Sequence, residues 1–159
     1  MALPIKIEYR IGVQTPPEVI WAIVSDINGY AAWNPLYPKA QGDVQFGAVL
    51  SFEVALPGEA PSAIRATVTD WTPNEQIIWT VRLFWGLLRT TRYIEIEKLG
   101  DESCIFSNGE IFEGPLIRFF SRKTRRAVKA GFTLMGEAVR DKAEAAFRSG
   151  QGAAISGRS

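Results

Sequence analysis

Histidine is absent from all 159 residues. That excludes His-ligated zinc or iron, the Ser-His-Asp and Cys-His nucleophile arrangements, and the usual side-chain base near neutral pH. Cysteine is limited to Cys104, so neither an internal disulfide nor a thiolate metal cage can form. Its setting, Ser103-Cys104-Ile105-Phe106, reads as an inert strand thiol. No apolar run reaches the roughly 18–20 residues of a membrane span, because Lys, Arg, Glu or Pro interrupts each one. The opening Met-Ala-Leu-Pro-Ile-Lys lacks the charged-then-apolar profile of a secretion signal, which predicts a cytoplasmic protein. No metal or cofactor is expected, and any chemistry must rest on Asp, Glu, Arg, Lys or Tyr.

What is present suits one folded domain. Hydrophobic residues make up 47% and charged residues 22%, enough apolar material to offset the entropy of ordering. The net charge is only +1, yet six of the 18 basic residues (Arg118, Arg122, Lys123, Arg125, Arg126, Lys129) lie together with no acid among them. The remaining 12 face 17 acids. A nearly neutral protein therefore carries one positive patch.

Ile5, Ile7, Tyr9, Ile11 and Val13 alternate with polar residues, the pattern of a half-buried strand. Thr15-Pro16-Pro17-Glu18 predicts a helix start with Thr15 as N-cap, Pro16 in the first turn and Glu18 closing a capping box. A second short helix, capped by Asp26, carries Ile27, Tyr30 and Trp33 and stops at Pro35. Strands follow near 38–42, 48–56, 63–71, 76–84, 89–99 and 103–112, divided by Gly, Pro and Asn-rich turns. Beyond Gly114-Pro115 the apolar period becomes helical and persists for about 30 residues. The segment 150–159 is small and polar, which predicts a flexible tail behind a single domain over 1–149. The expected α+β fold is a seven-stranded curved antiparallel sheet wrapped around a long C-terminal helix, with two short helices between the first two strands.

The segment Pro16 to Asp26, followed by Tyr30 and Trp33-Asn34-Pro35, resembles the opening of the SRPBCC group, START-like helix-grip proteins that include polyketide cyclases and lipid-transfer domains. Glu110-Ile111-Phe112-Glu113-Gly114-Pro115 is similar to the group's closing segment, and the resemblance spans about residues 3–148. It implies a cavity for a hydrophobic small molecule, with only some members enzymes, and it alone suggests that Asn34 reaches that cavity.

Meander geometry locates the mouth. Turns 42–47, 72–75 and 100–102 lie at one end of the sheet, and connections 57–62, 84–88 and 112–117 at the other. The second set includes Phe84-Trp85-Gly86-Leu87-Leu88, and apolar tips facing water are costly unless they cover something. These tips are expected to form the pocket rim, or else to pack on each other or on a partner chain. Strand parity then turns Arg92, Ile94 and Ile96 inward and puts Glu95 and Glu97 in solvent. Pairing Leu99 with Ser103 sets Arg92 opposite Glu110 and Ile94 opposite Asn108, and a hairpin centred on Gly86-Leu87 can set Arg82 opposite Arg92. Such a row of charges is expensive as core and reasonable as a ligand anchor. Strand 76–84 can equally point Ile77, Trp79, Val81 and Leu83 inward and Arg82 to water, because a one-residue slip reverses every face.

The apolar wall is expected from Phe52, Val54, Leu56, Ile64, Val68, Phe84, Ile94, Phe106, Phe112, Val128, Phe132 and Met135, with Asn34, Arg82, Arg92, Asn108 and Glu110 as polar contacts. The expected partner is therefore a hydrophobic small molecule such as a lipid, polyketide-like or isoprenoid compound, bound or transported by a monomer or weak homodimer. If the chain is an enzyme, the same cavity suits cyclisation or dehydration, with Arg92 or Arg82 holding an oxyanion and Glu110 moving the proton. The basic stripe reads as a solvated helix face or as a contact for an anionic membrane surface. A nucleic-acid partner is not expected, since no recognition motif is present.

Overall fold

The fold comes from a computed structural model that describes residues 3–156, with side chains for 3–150. Strand β1 (Ile5–Val13) buries Ile7 and Val13 and leaves Lys6 and Arg10 in water. Helix α1 (Pro17–Val24) starts one residue later than the sequence suggests. Pro16 is its N-cap and no side chain caps it; the Thr15 hydroxyl instead donates to the Pro16 carbonyl at 3.0 Å. Pro17 at the first helical position removes one of the N–H groups that would otherwise lack a partner, and the Val19 N–H is taken by the Pro16 carbonyl at 3.2 Å. The second short helix is a 3-10 turn, Ile27–Ala32, likewise without a side-chain cap. It is pinned by the buried Tyr30, whose hydroxyl donates to the Val24 carbonyl at 2.5 Å.

Six strands follow as a meander: β2 (Lys39–Gln41), β3 (Val49–Val54), β4 (Ser62–Thr72), β5 (Gln76–Leu83), β6 (Leu88–Gly100) and β7 (Ser103–Glu113). The sheet is antiparallel throughout, in the order β1-β7-β6-β5-β4-β3-β2. The seven-stranded sheet and long terminal helix are thus as the sequence indicates. The helical stretch divides in two. Pro115–Phe119 is a 3-10 turn, and α2 runs from Arg122 to Ser156 after Ser121, whose Oγ accepts the Thr124 N–H at 3.1 Å. Its first turn carries basic residues and no acid, the reverse of what the helix dipole favours. The helix continues past Gly150 through part of the expected tail, and residues 157–159 lie outside the described residues. Among the described residues, no helix is long and apolar enough to cross a membrane.

Helix α2 lies on β1 and β7 and against α1, and the interior divides along its length. Toward α1 it is solid: Ile20, Val24, Ile77, Ile94, Phe106, Met135, Val139 and Ala143 are all fully buried. Each such large apolar side chain contributes on the order of 1.5–3 kcal/mol relative to exposure. Toward the Phe84–Leu87 connection, α2 and the sheet separate and leave a space. Cys104 belongs to the solid half, where it is fully buried and its Sγ donates to the Thr15 carbonyl at 3.2 Å.

Candidate functional site

The space is a cavity of about 190 Å³ between β3–β7 and α2. Of the residues expected in its wall, Val54, Leu56, Ile64, Arg92, Glu110, Phe112, Val128 and Phe132 line it. Phe52, Val68, Ile94, Phe106 and Asn108 do not, being buried deeper along their strands, and neither does Met135, buried further along α2. Parity chose the correct face for all of them, but parity carries no information about position along a strand. Phe84 is 59% exposed on the outer tip and does not line the cavity.

Arg82 is not a cavity residue: of the two orientations the sequence allows for strand 76–84, the structure takes the one that turns Arg82 to water. The structure pairs Trp79 with Arg92 and Arg82 with Arg89. The turn is four residues long, Phe84–Leu87, closed by a Leu83–Leu88 pair and wound through left-handed Phe84, Trp85 and Gly86. That register is odd relative to the expected one, so Arg82 moves to the outer face beside Arg65 and Arg89. Trp79 and Val81 take the interior instead, and Trp79 is fully buried. The β6–β7 register does put Arg92 opposite Glu110 and Ile94 opposite Asn108, although a bulge at Leu99 pairs Gly100, not Leu99, with Ser103.

Arg92 is 1% exposed, and all five of its N–H groups are used. Nε donates to Tyr37 Oη at 3.0 Å. Nη1 donates to the carbonyls of Tyr93 (3.2 Å) and Gly109 (3.0 Å). Nη2 donates to Asn108 Oδ1 (3.0 Å) and Met135 Sδ (3.2 Å). The guanidinium also stacks 4.2 Å from the Phe132 ring centroid. Arg92 and Glu110 stand opposite each other and both line the cavity, as expected, although among the described residues no carboxylate lies within ion-pair distance of Arg92. Without a spare donor, Arg92 cannot hold a ligand oxyanion directly.

Its charge acts directly on Glu110 and also acts on the cavity through Tyr37. The Tyr37 oxygen accepts from Arg92, which leaves its own O–H free to donate into the space it lines. Burial raises the Tyr37 hydroxyl above the usual phenol range and Arg92 pulls part of that back, so the group remains a proton-bearing donor. Glu110 and Thr90 line the same cavity. Burial raises the Glu110 carboxyl above the ordinary carboxylate range, against the opposing pull of Arg92 and the Thr90 hydroxyl. Thr90 Oγ1 is itself buried and, among the described residues, has no hydrogen-bond partner. Among the described residues, no group of three or more His, Cys, Asp or Glu side chains is arranged to hold a metal.

Asn34 does not line the cavity. Its Oδ1 accepts the Leu36 N–H at 3.0 Å, and its carbonyl accepts the Tyr37 N–H at 3.3 Å. Asn34 thus forms the turn that delivers Tyr37, the residue sequence reasoning missed. A signal was available: Leu36-Tyr37 is apolar between Pro35 and Pro38, so it can be neither helix nor central strand, yet it must be buried.

The comparisons agree with this architecture. No curated protein matches the chain by sequence. Among solved structures, the Zhui aromatase/cyclase from Streptomyces sp. R1128 superposes with a TM-score of 0.73 at 18% identity, over 89% of this chain and 94% of that one. Norcoclaurine synthase from Thalictrum flavum, in complex with dopamine and hydroxybenzaldehyde, gives 0.66 at 15% identity, over 87% and 86%. A START superfamily protein from Mycobacterium smegmatis gives 0.61 at 20% identity, over 91% and 97%. At these identities the likeness is one of fold. The model of the family described as polyketide cyclase / dehydrase and lipid transport matches residues 4–144. With nearly the whole domain matched and its helix-over-sheet cavity in place, the chain belongs to that family.

Proposed function

We propose that the chain binds a compact hydrophobic molecule carrying one polar oxygen, with its apolar body against Val81, Leu88, Phe112 and Val128 and its oxygen on the Tyr37 hydroxyl. The observation that carries this reading is a cavity of about 190 Å³ whose free donor, Tyr37, is backed by a fully bonded arginine. Apolar cavities near 150 Å³ hold benzene, and drug-sized sites run from about 300 to 1,000 Å³. The volume therefore suits a single substituted ring or a short isoprenoid better than a long-chain lipid. Titration with monocyclic phenols and short terpenols, followed by quenching of the cavity-lining Trp79, should give saturable binding. Val128→Trp should abolish it by filling the space. Unchanged affinity in that variant would exclude the cavity as the site.

One feature favours a second reading as an enzyme, namely the buried Glu110 sharing the cavity with a polarised hydroxyl. Glu110 could remove a proton from the carbon next to a ligand carbonyl while Tyr37 holds the developing enolate oxygen, the first step of a cyclisation or dehydration. Glu110→Gln should then lower turnover by about 10²–10⁴-fold with little change in affinity. Equal loss of both would leave binding alone.

A further inference from the structure

The end of the molecule that holds the cavity also presents its most exposed apolar surface. Trp85 is 99% exposed, Phe119 69%, Phe84 59% and Leu87 46%. Phe84 and Trp85 sit at φ 53° and 56°, a region unfavourable to non-glycine residues, so backbone strain is spent on holding this tip outward. The Phe84–Leu87 turn and the Pro115–Phe119 turn form one surface, since the Leu116 N–H donates to the Leu87 carbonyl at 3.3 Å. Around it stand Arg118, stacked 5.0 Å from the Phe119 ring, and the exposed Arg122, Lys123, Arg125 and Arg126. Among the described residues, none of these five cations forms an ion pair.

The carboxylates described at this end are Glu113, which is paired with Arg89 beside Gly86 and Gly114, and Glu59 at the cavity edge. The five unpaired cations therefore leave the surface around the aromatics mainly basic and suited to a partner that is apolar at depth and anionic at its surface. A second copy docked by two-fold symmetry would set this basic surface against itself and be repelled. We propose that this end docks on an anionic phospholipid bilayer. Trp85, Phe84 and Phe119 enter the headgroup–acyl boundary, and the five cations face lipid phosphates and carboxylates. Leu83, Leu88 and Phe120, which line the cavity, flank these turns, so docking sets the cavity end against lipid. The inference is independent of what the cavity holds.

The test is co-sedimentation of the full chain with vesicles of phosphatidylcholine alone or with about 30 mol% phosphatidylserine. Binding should be at least roughly tenfold tighter to the anionic vesicles and should weaken with salt, with Trp85 shielded from acrylamide quenching in the bound state. Each cation near the surface contributes about fivefold, so Arg122→Gln, Arg125→Gln and Arg126→Gln together should weaken binding roughly 100-fold. Trp85→Gly should weaken it at least tenfold with an unchanged thermal midpoint, because Trp85 packs on nothing and glycine tolerates its φ. The proposal is overturned by absent binding, by equal binding to both vesicles, or by full binding in either variant. Self-association that Trp85→Gly abolishes would overturn it too, by assigning the tip to a protein interface.

Discussion

Arg92 and Tyr37 should behave as one energetic unit. In Tyr37→Phe, the Nε–H of Arg92 loses its acceptor in a site where Arg92 is 1% exposed. A hydrogen bond to a charged group is worth about 1.5–3 kcal/mol, and the cost of leaving the donor unpaired is of the same size. A loss of about 2 kcal/mol is therefore expected, or about 4–8 °C in thermal midpoint for a chain of this length. Arg92→Met removes a buried cation but strands Tyr37 Oη, two strand carbonyls and Asn108 Oδ1 together. Its cost should reach about 3–5 kcal/mol, because several buried neutral acceptors lose their donor at about 1–3 kcal/mol each while the cost of burying the charge is recovered. The discriminating experiment is the double variant in urea unfolding. With Arg92 gone, Tyr37→Phe has nothing left to break and should cost under about 0.5 kcal/mol, giving a coupling near 1.5–2 kcal/mol. Additive costs would refute the claim that Arg92 acts on the cavity through Tyr37.

Glu110 supplies a pH test with a definite sign. Its carboxyl is raised in the folded state, so between the ordinary carboxylate range and its folded value the native protein binds more protons than the unfolded chain. Stability contributed by protonated Glu110 is present at low pH and lost as pH rises through that window, so Glu110→Gln should raise the thermal midpoint more at pH 8 than at pH 4. An equal shift at both pH values would mean that Glu110 ionises normally. At Gly114, φ 113° and ψ 170° form a conformation almost confined to glycine, and a Cβ would lie 2.3 Å from the Leu87 carbonyl oxygen. Gly114→Ala should therefore cost at least about 1–3 kcal/mol in urea unfolding, and a neutral result would mean that the two turns separate freely. Asn108→Ala removes the acceptor of one Arg92 N–H and the donor to the Phe132 carbonyl (3.2 Å), and should destabilise by about 2–3 kcal/mol as judged by thermal melting.

Much of the fold could be read from sequence because its signals are local. The alternation in β1, the Gly and Pro breaks between strands and the change of period after Gly114 each depend on neighbouring residues, and the elements fall where those signals lie. The β6–β7 register could be read for the same reason: a short polar turn at Gly100–Glu102 constrains it, and the Leu99 bulge shifts only the terminal pair. The β5–β6 register could not. Its turn is built on left-handed Phe84 and Trp85, residues that no turn rule assigns to positive φ, and the resulting odd shift in register, from Arg92 to Arg89 as the partner of Arg82, sent Arg82 to the opposite face.

The boundary between cavity wall and solid core eluded the sequence in a different way. Whether an inward residue is wall or core depends on how far α2 lifts from the sheet at that level. Ile94 and Arg92 share a face and differ only in depth, yet one is packed solid and the other stands at the edge of the space. The charged groups expected to grip a ligand fare differently because charge is costly to bury and is first consumed internally. Arg92 spends every donor on neutral oxygens and one sulfur, and it polarises a hydroxyl that lies just outside the nearest strand. A search for charged residues finds the source of the field in such a site and overlooks the atom that delivers it. That atom belongs to a tyrosine held between two prolines, in a buried segment with no period of its own.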